Sequence, residues 1–120
     1  MGRIYYKRFN KRKLGSAEES FACDFLESKG YTIIERNFRC RQGEIDIIAK
    51  IKDTIVFVEV KTRSSIKFGY PKEAVDYRKQ TKIHNVALTY LKLKGKLDSK
   101  IRFDVIEILD GSVNHIENCF

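Results

Sequence analysis

Asp46, Glu59 and Lys61 form a set with a recognisable chemical use. Two carboxylates can hold a divalent cation, since Asp and Glu oxygens are the usual ligands of Mg²⁺ or Mn²⁺. A lysine two positions beyond one of them, on the same strand face, can orient a water or neutralise charge that develops beside it.

Two strands and a tight turn must position this set. Glu44 to Ile51 alternates, with Ile45, Ile47, Ala49 and Ile51 on one face and Glu44, Asp46, Ile48 and Lys50 on the other. Ile55 to Arg63 is rich in β-branched residues. Val56, Val58, Val60 and Thr62 share one of its faces; Phe57, Glu59, Lys61 and Arg63 share the other. Only Lys52 and Asp53 need lie between the runs, so an antiparallel hairpin is expected. Ile51 then opposes Thr54, Asp46 opposes Glu59, and Glu44 opposes Lys61. Like charges directly across a ladder repel. A bound cation would relieve Asp46 and Glu59, and Glu44 is a candidate salt partner for Lys61.

An Asp, a gap and then Glu-x-Lys on the next strand is the PD-(D/E)xK nuclease pattern. Four blocks in order, GEIDIIA, VFVEVKTR, FGYPKEAV and RFDVIEI, resemble the YraN-like family of restriction-endonuclease-like proteins. That family is itself similar to archaeal Holliday junction resolvases. The resemblance runs from about Leu14 to Phe120. It implies a metal site of Asp46, Glu59 and the carbonyl of Val60, with Lys61 and the helical Glu19 as further catalytic residues. It also places Lys79 and Gln80 near the scissile phosphate.

Composition sets the frame. At 120 residues the chain has room for one domain, and 42% hydrophobic content permits a real core. No apolar run approaches the ~20 residues of a membrane span, and no apolar stretch follows the basic N-terminus as a secretory signal would. Cys23, Cys40 and Cys119 are odd in number and lack CxxC spacing, so reduced thiols and a cytoplasmic location are expected. GxxxxGK[ST] and GxGxxG are absent, which excludes the common nucleotide-phosphate motifs. His84 and His115 lack metal-ligand spacing and read as structural.

The net charge of +8 is uneven. Arg3, Lys7, Arg8, Lys11, Arg12 and Lys13 make residues 1–13 a basic arm without an acid; residues 14–120 form the domain. Such an arm suits phosphate backbones, with Tyr5, Tyr6 and Phe9 available to stack; a solubilising tail is the plainer alternative. Arg36, Arg39 and Arg41 are either a solvated edge or forks for phosphates, and Arg63 and Lys79 join them as candidate nucleic-acid contacts.

In chain order, Ser16 to Lys29 reads as a helix with Ser16 and Glu19 as a capping box. Phe21, Ala22, Phe25 and Leu26 form its buried stripe, and Gly30 ends it. Glu19 is thus either a cap or a site residue. Tyr31 to Arg39 is a strand, with Tyr31, Ile33 and Glu35 on one side. Ser64 to Pro71 is a loop over the site, whose Phe68 and Tyr70 would serve as wedge or lid. Lys72 to Leu93 is a long helix with a stripe of Ile83, Val86, Ala87, Tyr90 and Leu91. Ile101 to Leu109 and Ser112 to Ile116 form a hairpin about Asp110-Gly111.

The order αβββαββ predicts an α/β domain with a mixed β-sheet flanked by helices, and the resemblance implies that this sheet is restriction-endonuclease-like. The expected function is metal-dependent hydrolysis of phosphodiesters in DNA, branched DNA included, with Mg²⁺ or Mn²⁺. A symmetric homodimer would suit two-strand cleavage. The alternatives are a non-catalytic nucleic-acid-binding protein on the same fold and an ordinary cross-strand charge network.

Overall fold

The computed structural model describes residues 6–63 and 76–120. The elements are α1 (Tyr6–Ser28), β1 (Thr32–Cys40), β2 (Gly43–Ile51), β3 (Thr54–Arg63), α2 (Tyr77–Leu93), β4 (Lys100–Leu109) and β5 (Ser112–Ile116). The strands form one sheet in the order β1-β2-β3-β4-β5. All neighbours are antiparallel except β3 and β4, which run parallel across the α2 crossover. The sheet is therefore mixed, with one helix against each face, as the pattern of elements predicts.

Each face has its own core. Ala22, Cys23 and Leu26 of α1 pack on Ile47, Ala49, Val56, Val58, Ile106 and Ile108. On the other face Ile83, Val86, Ala87, Tyr90 and Leu91 of α2 meet Ile48, Ile55, Phe57, Phe103 and Val105. The α2 stripe is the expected one at 3.6-residue spacing. Phe57 is fully buried there, stacked on Phe103 with ring centroids 5.3 Å apart.

Several expectations need correction. The helix does not start at Ser16; α1 runs back to Tyr6, so Ser16 lies inside it and not at its N-terminus. The residues before Ser16 are mostly good helix formers, and they carry the helix through the capping signal. Phe21 lies outside the buried stripe, 43% exposed. Gly30 does end the helix: it takes φ 95 while Tyr31 N–H donates to Leu26 O at 3.1 Å. α2 starts at Tyr77 rather than Lys72, because Asp76 is extended and accepts from Lys79 N–H at 2.9 Å as an N-cap. The loop at 64–71, with Phe68 and Tyr70, lies outside the described residues.

One face assignment also breaks. Ile45 joins the α2 core, whereas Ile47 and Ala49 join the α1 core. The change of side falls at Asp46. Its neighbour across the β1–β2 ladder is Asn37, between the pairs Arg36–Ile47 and Phe38–Ile45, and Asn37 has a left-handed φ of 54. A left-handed residue in a strand turns the alternation, and Asn tolerates that conformation.

Candidate metal centre

The β2–β3 hairpin has the register expected from its two-residue loop, from Ile51–Thr54 to Ile47–Val58. The ladder ends there, one step before Asp46 and Glu59. In place of a ladder bond, Val60 N–H donates to Asp46 Oδ2 at 2.8 Å. The sheet thus opens where the two carboxylates stand, and a side chain satisfies the backbone donor that the opening exposes.

Four acids border this opening. Burial first, then the charge of Glu59, pushes the Asp46 carboxyl up to about 8, against the pull of the Val60 amide; Glu19 and Glu44 push the same way. Glu19 projects from α1 into the same region. Asn37 Nδ2 donates to its Oε1 at 2.9 Å, and Arg36 lies 4.0 Å away. Burial raises the Glu19 carboxyl above its ordinary range, despite Asn37 and Arg36. With the helix start moved back to Tyr6, Glu19 is left as a residue that faces the sheet and Asp46.

Glu59 is 7% exposed and is met by two cations. Lys79 Nζ sits 2.8 Å from Glu59 Oε2, and Lys61 Nζ lies 3.7 Å from the same oxygen. Burial pulls the Lys79 ammonium down, but its bond and attraction to Glu59 leave it above its usual range. Glu44 does not pair with Lys61. It faces Arg39 across the β1–β2 ladder, and Arg39 Nε is 3.1 Å from Glu44 Oε1. The early end of the β2–β3 ladder removes the register that would have brought Glu44 to Lys61. Glu107, 6% exposed, stands level with Lys61 on β4.

Among the described residues no group of three or more His, Cys, Asp or Glu side chains is arranged to hold a metal ion by itself. A Mg²⁺ site asks for less, because this ion keeps several waters and binds through one or two carboxylates. Asp46 and Glu59, mutually repelling and enclosed at an opening of the sheet, have the donor chemistry that fits such an ion.

The candidate phosphate contacts divide. Arg39 and Arg41 are exposed near the β1–β2 turn, Arg63 ends β3, and Lys79 lies at the centre of the site. Arg3 lies outside the described residues, and Lys7, Arg8, Lys11, Arg12 and Lys13 fall within the first half of α1.

The uncharacterised protein family UPF0102 matches residues 18–108. The chain belongs to this family. Among its UPF0102 relatives, a protein of Caldanaerobacter subterraneus subsp. tengcongensis is 47% identical over 95% of this chain and 99% of the relative. One from Clostridioides difficile is 50% identical over 92% of this chain and 99% of the relative. One from Alkaliphilus oremlandii is 50% identical over 91% and 98%. The UPF0102 match spans both site strands, α2 and the second half of α1. Among the described residues no helix is long and apolar enough to cross a membrane.

A second polar cluster in this UPF0102 chain escaped the reading of the sequence. Asp104 is fully buried on the α1 side, yet both its oxygens are used. Arg102 Nε and Nη2 donate at 2.9 and 2.8 Å, Asn118 N–H donates at 2.9 Å, and His115 Nε2 lies 2.7 Å away. Lys29 Nζ, 2.9 Å from His115 Nδ1, places the ring proton on Nε2. His115 is thus structural, as its solitary position suggested. His84 packs its ring on Phe103, with centroids 4.4 Å apart.

Proposed function

We propose that this protein is a divalent-metal-dependent nuclease on a restriction-endonuclease-like fold, with DNA as its substrate. The observation that carries this reading is the convergence at one opening of the sheet of Asp46, Glu59, Lys61 and Lys79. Asp46, Glu59 and the Val60 carbonyl would hold Mg²⁺ or Mn²⁺. The ion would polarise the phosphate and lower the pKa of a bound water.

The chain's own residues do the rest. Lys61, beside Glu59 on the same strand, orients the attacking water and offsets charge that develops on the phosphoryl oxygens. In the reaction the water oxygen bonds to phosphorus and gives up a proton to solvent, the ester P–O bond breaks, and the leaving oxygen takes a proton from solvent. Glu19, held by Asn37 Nδ2 and close enough for its charge to act on Asp46, assists the metal or a bound water. Arg39, Arg41, Arg63 and the basic stretch of α1 would supply phosphate contacts, which set position rather than sequence.

The decisive experiment is a cleavage assay with Mg²⁺ and Mn²⁺ on linear duplex, single-stranded and branched DNA and on RNA. Asp46→Asn and Lys61→Ala should each abolish the activity while leaving substrate affinity measured without metal nearly unchanged. Equal cutting by both variants would place the activity elsewhere.

A second reading rests on Lys79 and Lys61, which already neutralise Glu59 without a metal. A nucleic-acid-binding protein without catalysis could keep that arrangement. It predicts salt-sensitive binding with no metal dependence and no cleavage of any substrate.

A further inference from the structure

Lys79 is the residue of the site to which the reaction above gives no step. It comes from α2, across the parallel crossover, and makes the shortest ion pair in the site, 2.8 Å to Glu59 Oε2. That oxygen belongs to one of the two carboxylates assigned to the metal. A cation and the lysine cannot both occupy it at full strength.

We propose that Lys79 is an internal counter-ion for Glu59 that the metal displaces, and that the freed ammonium then binds substrate phosphate. This inference rests on the metal-dependent reading above and names the device that ties metal uptake to substrate.

Three features favour a displaceable lysine over a structural pair. The Lys79 side chain is 44% exposed, and pairs in contact with water are weak. Its root is fixed: Lys79 N–H donates to Asp76 Oδ1 in the N-cap, so only the flexible stem need move. Lys61 stays within 3.7 Å of Glu59 on the strand itself, so the carboxylate keeps a partner when Lys79 leaves.

The surroundings also direct the freed ammonium. The first turn of α2 carries no acid, and its exposed amide end favours anions. Arg78 and Lys82 flank Lys79 on the same helix. The carboxylate of the N-cap, Asp76, is already engaged by the Lys79 amide. A phosphate that approaches the metal therefore meets a lysine with no competing acid in its own turn of helix. Metal and phosphate then each strengthen the other's binding, by the same factor in both directions.

The test measures binding rather than turnover. Mg²⁺ affinity is read by titration calorimetry, alone and with a phosphorothioate DNA duplex, whose linkages keep their charge and resist hydrolysis. Wild type should bind Mg²⁺ weakly alone and more tightly with the duplex. Lys79→Gln should bind Mg²⁺ alone more tightly, by about fivefold, the scale of an exposed ion pair. The duplex should then add less. Lys79→Arg should restore the wild-type coupling, and Lys92→Gln, a control for net charge at the far end of α2 and free of any phosphate role, should leave it unchanged. Circular dichroism confirms that each variant is folded. If Lys79→Gln and wild type bind Mg²⁺ equally and gain equally from the duplex, Lys79 is only a structural partner and the metal reading stands. If no variant takes up Mg²⁺ with or without duplex, both fall together.

Discussion

Lys79 Nζ lies closer to Glu59 Oε2 than Lys61 Nζ does, 2.8 Å against 3.7 Å, although Lys61 is two residues from Glu59 and Lys79 is on another element. Glu59 is therefore a compensated charge, and Asp46 is not. The two carboxylates should respond in opposite ways to neutralisation.

In the presence of chelator, Asp46→Asn is expected to stabilise the protein by on the order of 1–3 kcal/mol, because it removes a charge that burial and Glu59 oppose. The Asn Oδ1 can still accept from Val60 N–H. Glu59→Gln is expected to destabilise by about 1 kcal/mol, since it strips two lysines of their partner. Thermal melts of the three proteins check this. Two shifts of the same sign would show that Asp46 and Glu59 share one electrostatic state.

The Asp46 effect has a pH window. Its folded value is about 8, against 3.8 ordinarily. At pH below ~4 the group is protonated in both folded and unfolded chains and contributes equally to each. As pH rises from ~4 to ~8, the unfolded chain ionises while the folded one resists, so metal-free stability falls. The advantage of Asp46→Asn over wild type should therefore be small near pH 4, grow through neutrality and level off above about pH 8. Urea midpoints measured across this range test it; a constant gap would remove Asp46 as the cause.

Asp104 should show the reverse. Burial alone would raise its carboxyl, but His115, Arg102 and the Asn118 amide hold it below the ordinary range. That stabilisation is present at pH above the unfolded value and is lost as pH falls through the folded one. Asp104→Ala leaves Arg102 and His115 without their shared acceptor and should cost about 3 kcal/mol or more at neutral pH. The deficit should shrink as the solution is acidified.

The hairpin that carries the site was readable because β-branched alternation on both sides of a two-residue loop permits one register. The stripe of α2 and the Asp110-Gly111 turn were readable for similar local reasons; both turn residues adopt left-handed φ, 50 and 84. What escaped was set by contacts between distant segments. Nothing near Lys79 in the chain announces Glu59. The left-handed Asn37 reverses the facing of Ile45 from a neighbouring strand. Arg102 and Asp104 did share one face of an alternating strand, a signal that could have been read as a buried pair. The capping pattern at Ser16 misled because a local cap competes with whatever precedes it.

The basic stretch of α1 offers a prediction on nucleic-acid binding. Because residues 7–13 are helical, replacing Lys7, Arg8, Lys11, Arg12 and Lys13 with Gln removes charge with little change in helix propensity. Each phosphate that these cations no longer neutralise should flatten the log–log salt dependence of duplex binding by about 0.9. An unchanged slope, measured by fluorescence anisotropy, would show that these cations do not touch the backbone.

β3 is paired on both edges, antiparallel to β2 and parallel to β4, and both of its faces are covered by packed side chains. Amide hydrogens of Val56 to Val58 can reach solvent only if the sheet itself opens, so they should be among the slowest to exchange with deuterium. Glu59 and Lys61 are rooted in this strand, whereas Lys79 is rooted in the first turn of a helix. The site thus joins a stationary wall to a movable arm, and whatever enters it must be accommodated from the α2 side.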